Sequence, residues 1–130
     1  MDGAMESDAA RRQVEAAYAA WDEAFNRGDA GALASLYVDH ATFLPATHAI
    51  VEGPARIEQF FTPLLAQGVT DHRFELITIH DDTHSIAAAA RWTATSPDPD
   101  GSRTTSSGIA THLFLKQPDG GLKLRLHTFN

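Results

Sequence analysis

The chain has 130 residues, with 10 basic and 17 acidic side chains, a formal net charge of −7, and no cysteine. That length suits one domain. The missing cysteines exclude disulfides, thiolate nucleophiles and cysteine-ligated metals. The acidic balance, with dispersed basic residues, argues against a nucleic-acid partner. No apolar stretch is long enough to cross a membrane and the first residues do not resemble a signal peptide, so we expect a soluble, cytoplasmic protein.

The first third of the chain predicts two helices. Residues 1–7 are expected to form a flexible tail, in which Ser7 caps a helix over residues 8–27. Apolar residues spaced by four, three and four positions give that helix one buried stripe, consisting of Val14, Tyr18, Trp21 and Phe25. Gly28 favours a left-handed end to the helix. Asp29 is placed to cap a shorter second helix that runs through Tyr37.

A short strand and a third helix follow. Residues 41–46 are typical of a strand that Pro45 stops, and residues 47–53 of a connection. Pro54 suits the first turn of a helix that ends at Gly68. Pro63 lies inside this helix and is expected to kink it or to restart it at Thr62.

The second half of the chain predicts four strands, over residues 73–80, 85–95, 103–117 and 122–129. Turn residues separate them, most clearly Pro-Asp-Pro-Asp-Gly at 97–101 and Pro-Asp-Gly-Gly at 118–121. Helices followed by an antiparallel meander indicate an α+β fold, with residues 8–130 as a single domain.

Three stretches carry a family resemblance: AWDEAFNRGDAGALASLYVDHATFLP, VEGPARIEQFF and DGGLKLRLHTFN. With the order of the elements, they resemble the SnoaL-like, ketosteroid-isomerase-like superfamily, also called nuclear transport factor two-like. Within it they are most similar to the subgroup that contains the association domain of calcium/calmodulin-dependent kinases. The resemblance implies a cone-shaped fold, in which a curved antiparallel sheet wraps around the helices and encloses a pocket. It also implies a homodimer through the outer face of the sheet, but it does not select one function.

The steroid isomerases of this superfamily use a carboxylate base and an oxyanion hole made of a tyrosine and a protonated aspartate. The resemblance places the base near Pro45 and the tyrosine at Trp21. The aspartate falls at Thr111 or, with a one-residue shift, at His112. Because Pro45 cannot take a proton, the isomerase mechanism is poorly supported.

Alternate residues of a strand share a face, which suggests a different set of polar groups. Arg91 and Thr93 share one face of their strand with Ala87 and Ala89, and the resemblance places a pocket arginine of the kinase association domain at Arg91. Along the last strand, Arg125, His127 and Phe129 alternate with Leu122, Leu124 and Leu126. The predicted pocket residues are Tyr18, Trp21, Phe61, Arg91, Thr111, His112 and His127.

Several of these residues have a second interpretation. The aromatic residues of the first helix are core side chains that form at most a pocket wall. Arg91 lies in the pocket, in a buried ion pair or on a solvent-facing edge. His112 faces the pocket or the outer face of the sheet, and His127 faces the pocket or pairs with Arg125 at the surface. His80 and His84 flank a turn, so we expect no metal site there.

Three hypotheses remain open. The first is a protein that binds a small organic molecule, including one that carries a carboxylate, without a cofactor. The second is a cofactor-free isomerase, cyclase or lyase acting on an enolisable carbonyl compound, with His127 as general acid and base and Arg91 as oxyanion stabiliser. The third is a dimerisation module with a vestigial cavity, in which Trp92, Phe114 and His112 lie on the outer face of the sheet.

Overall fold

The computed structural model describes residues 2–130, with side chains from residue 8 onward. Its helices are α1 (Asp2–Asn26), α2 (Ala30–Ala34) and α3 (Pro54–Ala66). Helix α1 begins at Asp2 and already includes Ser7, so the predicted cap at Ser7 is wrong. The flexible tail predicted for residues 1–7 lies outside the residues whose side chains are described and stays a prediction. The predicted stripe of α1 is confirmed, since Val14, Tyr18, Trp21 and Phe25 are all buried.

Six strands form one curved, open sheet that packs around the helices. They are β1 (Tyr37–Leu44), β2 (Val51–Glu52), β3 (Thr70–Asp81), β4 (Ser85–Pro97), β5 (Arg103–Lys116) and β6 (Leu122–Phe129). The spatial order is β2-β1-β6-β5-β4-β3, and β1 lies parallel to β6 while all other neighbours are antiparallel. The predicted α+β class is confirmed.

Between α1 and β1 the predicted helix caps are confirmed, but the second helix is shorter than predicted. Gly28 has a φ of +75°, and the Asp29 carboxylate accepts the Ala32 N–H over 2.9 Å. The second helix does not reach Tyr37, because α2 ends at Ala34 and Tyr37 opens β1, paired with Leu124 of β6. The short strand β2 was not predicted.

The third helix begins at Pro54 as predicted and runs through Pro63 without a restart at Thr62. The Thr62 hydroxyl donates to the Glu58 carbonyl over 2.7 Å. Pro63 itself is exposed, whereas Ile57 and Phe61 of the same helix are buried in the core.

Two bulges change which residues face the helices. In the β5–β6 ladder, Leu113 pairs with Leu126 and Phe114 with Leu124, so Arg125 is one residue in excess. In the β3–β4 ladder, Ile77 is the extra residue and is 49% exposed. A bulge shifts the alternation of a strand by one position. This is why Leu124 and His127 are both buried, although strict alternation places them on opposite faces.

The inner face of β4 is the opposite of the one predicted. Ala88, Ala90 and Ala94 are buried and Trp92 is half-buried on that same face, whereas Arg91 is exposed. Burying an indole against the helices costs less than burying an unpaired guanidinium. The prediction that Arg91 faces the pocket with Ala87, Ala89 and Thr93 is therefore wrong.

The neighbouring strand β5 follows the same register. Ala110, His112 and Phe114 are buried and Thr111 is exposed. The placement of Trp92, Phe114 and His112 on the outer face, which the dimerisation hypothesis required, is wrong as well. The outer face of the sheet, away from the helices, is here the one that carries Arg91 and Thr111.

Candidate functional site

Aromatic residues from α1, α3 and three strands surround a cavity of about 280 Å³, which we call the aromatic cavity. The rings in its lining are Trp21, Phe25, Phe60, Phe61, Phe74, Trp92 and Phe129. Two histidines, His72 and His127, complete the polar part of the wall together with hydroxyl groups near the ends of β4 and β5. The volume lies at the small end of the range for small-molecule sites.

His72 is held on its backbone and on its side chain by one face of α1. The Asp22 Oδ1 atom lies 2.7 Å from His72 Nδ1, and the Asp22 Oδ2 atom accepts the Phe74 N–H over 3.0 Å. One turn further along α1, Asn26 accepts the His72 N–H over 2.7 Å and donates to the His72 carbonyl over 2.9 Å. These four bonds fix both the position and the orientation of the imidazole.

The contact with Asp22 decides which nitrogen of His72 faces outward. An ionised carboxylate only accepts hydrogen bonds, so Nδ1 carries the proton and donates it to Asp22. The Nε2 atom has no protein partner within residues 8–130. The His72 side chain is 7% exposed and lies against Trp21, with ring centroids 4.6 Å apart, and parallel to Trp92 at 6.1 Å. The Asp22–His72 pair thus places an imidazole, oriented by a carboxylate, in the aromatic wall of the cavity.

A second series of hydrogen bonds, from Trp21 through Tyr37, ends at His127. The indole N–H of Trp21 donates to the Tyr37 hydroxyl over 3.0 Å, and that oxygen lies 2.8 Å from His127 Nδ1. Burial raises the pKa of Tyr37, although the bond from Trp21 opposes this shift. Burial, followed by the nearby His112 and His72, lowers the pKa of His127 well below its usual value, which keeps its imidazole neutral at neutral pH.

A third pair lies beside the second. The Tyr18 hydroxyl is 2.9 Å from His112 Nδ1, and the rings of His112 and His127 are 4.4 Å apart. Burial and the nearby Asp22 raise the pKa of Tyr18. Burial and the nearby His72 lower the pKa of His112 from 6.5 to about 3. The His112 Nε2 atom is buried and has no partner among the described residues.

Tyr18 and His112 line a second cavity rather than the aromatic one. It measures about 290 Å³, and its lining includes Gln13, whose side chain donates to the Gly120 carbonyl over 3.0 Å. Trp21 and Phe74 contribute to the lining of both cavities. They therefore form the wall that separates the two.

Five of the seven predicted pocket residues are brought together around these two cavities, namely Tyr18, Trp21, Phe61, His112 and His127. The other two, Arg91 and Thr111, are exposed on the outer face of the sheet. Among the described residues that line the aromatic cavity, none is a lysine or an arginine.

Sequence reasoning missed Asp22, His72 and Tyr37. Asp22 and Asn26 are spaced four apart on one helix face, which was an available signal, but their partner His72 is 50 residues from Asp22. Tyr37 was assigned to a helix instead of a strand. Among the described residues, no group of three or more histidine, cysteine or acidic side chains is arranged to hold a metal ion. None of the helices in the described part is long and apolar enough to cross a membrane.

The SnoaL-like domain matches residues 14–121. Similar solved structures include a calcium/calmodulin dependent protein kinase II association domain-like protein from Xanthomonas campestris, at 23% identity over 91% of this chain and 84% of that one, with a TM-score of 0.79. The protein Aln2 from a Streptomyces species has 18% identity over 92% of this chain and 89% of that one, with a TM-score of 0.79.

A third similar structure is a ketosteroid isomerase-like protein from Erwinia carotovora atroseptica, at 18% identity over 91% of this chain and 92% of that one, with a TM-score of 0.77. These identities support a shared fold. Among curated proteins, no relative matches the sequence.

Proposed function

We propose that this protein, which belongs to the SnoaL-like domain family, binds a small and largely apolar carbonyl compound in its aromatic cavity and moves a proton on it. The observation that carries the proposal is the Asp22–His72 pair at 2.7 Å, set in the wall of an aromatic cavity with its Nε2 atom unengaged by the described residues. The small volume suits a ligand of one or two rings.

The chemistry follows from the orientation of His72. Asp22 holds the proton on Nδ1 and stabilises the imidazolium that forms when Nε2 accepts a second proton. His72 is thus suited to remove a proton from a carbon next to a carbonyl and to return it elsewhere on the same molecule. In this proposal the base is His72 and not His127, for which the sequence analysis expected the acid–base role. His127 uses its Nδ1 atom in the hydrogen bond with Tyr37, and burial lowers its pKa.

A proton-exchange assay tests this function before a natural substrate is known. The probe is 1-indanone, a neutral two-ring ketone, and the readout is deuterium incorporation at its α-carbon in heavy water, followed by proton NMR. We expect the wild type to accelerate exchange, and His72→Gln and Asp22→Asn to lose about a hundredfold or more of that acceleration. Arg91→Gln, a change on the outer face, is the matched control and should exchange at the wild-type rate.

Two outcomes would contradict the proposed proton transfer. If His72→Gln accelerates exchange as well as the wild type does, with its fold confirmed by circular dichroism, His72 is not the base. If binding of 1-indanone is measured by NMR titration and neither variant nor wild type exchanges it, the aromatic cavity binds ligands without proton transfer. That second result supports the simpler ligand-binding hypothesis.

We also propose that two copies of the chain associate through the outer face of the sheet. Two large apolar side chains are exposed there, Ile77 at 49% and Ile109 at 42%. Because Trp92 lies on the inner face, Ile109→Glu is the appropriate test of this interface. Ile50→Glu is the matched control, since Ile50 is 71% exposed but lies outside the long strands. Sedimentation velocity that gives one mass for all three proteins would reject the interface.

A further inference from the structure

The proton on His127 is assigned by a count of donors and acceptors in the Trp21–Tyr37–His127 chain. The Trp21 indole nitrogen can only donate, so the Tyr37 oxygen accepts from it over 3.0 Å. The Tyr37 hydroxyl still has its own proton to place, and Tyr37 is only 2% exposed. Among the described residues, its one remaining partner is His127 Nδ1 at 2.8 Å.

The alternative assignment leaves a buried donor unpaired. If His127 Nδ1 carried the proton, Tyr37 would accept twice and its own O–H would have no acceptor within the described part of the chain. An unsatisfied buried hydroxyl lowers the population of that arrangement by about tenfold or more. The two hydrogen bonds therefore point in one direction, from the Trp21 indole to the Tyr37 hydroxyl and from that hydroxyl to His127 Nδ1. The proton of the neutral His127 ring then lies on Nε2.

The position of His127 lets its Nε2–H group meet a ligand in the aromatic cavity. His127 is 2% exposed, and its side chain lines the aromatic cavity beside Phe43 and Trp21, with ring centroids 4.8 and 5.8 Å away. With Nδ1 used on Tyr37, Nε2 is the only polar atom of the ring left for a ligand, and no described residue occupies it. A neutral imidazole that donates one hydrogen bond recognises an acceptor oxygen.

We infer that Trp21 and Tyr37 hold His127 as a neutral Nε2–H donor, and that this donor makes the aromatic cavity selective for a ligand with an uncharged carbonyl oxygen over a carboxylate. The inference rests on the proposed function and assigns a second role within it. His72 takes the proton, and His127 stabilises the charge that develops on the carbonyl oxygen as an enolate forms. Trp21 and Tyr37 are positioning residues, because they act through His127.

The absence of a cation supports the choice of an uncharged ligand. No lysine or arginine is found among the described residues that line the cavity, and the Asp22 carboxylate lies behind His72. A ligand carboxylate would lose its hydration without meeting a free cation, because the Asp22 carboxylate already balances any charge on His72. Such a transfer is strongly unfavourable. The carboxylate ligand expected from the sequence depended on Arg91, and Arg91 is exposed on the outer face.

The tautomer is measurable on the unliganded wild-type protein, independently of any activity. A long-range proton–nitrogen NMR correlation distinguishes a protonated from an unprotonated ring nitrogen. We expect an unprotonated Nδ1 and a protonated Nε2 for His127. In Tyr37→Phe this preference should relax, whereas in Tyr18→Phe, which removes the equivalent hydroxyl from the His112 pair, it should persist. A wild-type His127 protonated at Nδ1 overturns the inference whether or not the variants fold, and it leaves the role of His72 untouched.

Selectivity is tested with three probes of one shape: 1-indanone, indane and indane-1-carboxylate. One hydrogen bond to His127 predicts that wild type binds 1-indanone about fivefold more tightly than indane. The carboxylate should bind about a hundredfold more weakly than 1-indanone. In His127→Phe the preference for 1-indanone over indane should disappear. A preference that survives in His127→Phe, or a carboxylate that binds as tightly as the ketone, overturns the inference, whereas intact selectivity without α-proton exchange refutes only the proposed catalysis.

Discussion

Acid should destabilise the folded chain through His112. This side chain is 1% exposed, and burial with the nearby His72 lowers its pKa from 6.5 to about 3. Below pH 6.5 the unfolded chain therefore binds a proton at His112 that the folded chain does not bind until about pH 3. The unfolded state holds more protons throughout this window, so the free energy of unfolding falls as the pH falls.

The magnitude follows from the width of that window. Each pH unit below 6.5 removes about 1.4 kcal/mol for one proton, so a change from pH 7.5 to pH 4.5 removes about 3 kcal/mol through His112 alone. Burial also lowers the pKa of His127, which adds a loss in the same direction. For a domain whose whole stability is about 5–15 kcal/mol, such a loss is readily measured.

The assay is urea unfolding at pH 7.5, 6.0 and 4.5 for the wild type and two glutamine variants. His112→Gln keeps an acceptor for the Tyr18 hydroxyl but cannot titrate, so its loss on acidification should be about 3 kcal/mol smaller than that of the wild type. His84→Gln makes the same change at an exposed turn and should follow the wild type. If the pH dependence of His112→Gln coincides with that of the wild type, His112 is not held neutral by burial.

Three further changes test the backbone of the fold by urea or thermal unfolding. Gly108→Ala should lose about 1–3 kcal/mol of stability, because a Cβ there would overlap the Asn130 carbonyl oxygen, while the exposed Ser107→Ala should change little. Pro63→Ala should raise stability by about 1–3 kcal/mol, since an exposed proline inside α3 removes a helix hydrogen bond; an unchanged midpoint would show that α3 already accommodates it. Asp29→Ala should lower the melting temperature by freeing the Ala32 N–H, and Asp29→Asn should largely restore it.

The helices were largely predictable because their signals are local. The spacing of Val14, Tyr18, Trp21 and Phe25 depends only on the period of one helix, and all four are buried. The end of α1 depends on Gly28, which adopts a positive φ without strain, and the start of α3 on Pro54, whose ring fixes φ. The extent of α2 was not predictable in this way, since Tyr37 leaves the helix to pair with Leu124, far along the chain in β6.

The faces of the strands were not predictable, because alternation gives two sets of residues without saying which set is buried. On β4 both sets contain small or apolar residues, and only contacts with distant parts of the chain, such as those of Trp92 with His72 and Phe129, decide which set is buried. On β6 the extra residue Arg125 interrupts the alternation itself. A bulge leaves no signal in a run such as Leu-Lys-Leu-Arg-Leu, in which every residue also fits a regular strand.

The chemistry of the aromatic cavity depends on these same non-local features. His72 reaches Asp22 at the start of β3, where the ladder between Thr70 and Arg73 is irregular and Asp71 has a φ of +55°. His127 and Leu124 face the helices together only because Arg125 is in excess between them. His127 then lies beside His112 in regular register and reaches the Tyr37 hydroxyl, while Leu124 stays in the core. A sheet in perfect register would keep only one of the two on the inner face, so the site and the core both depend on this extra residue.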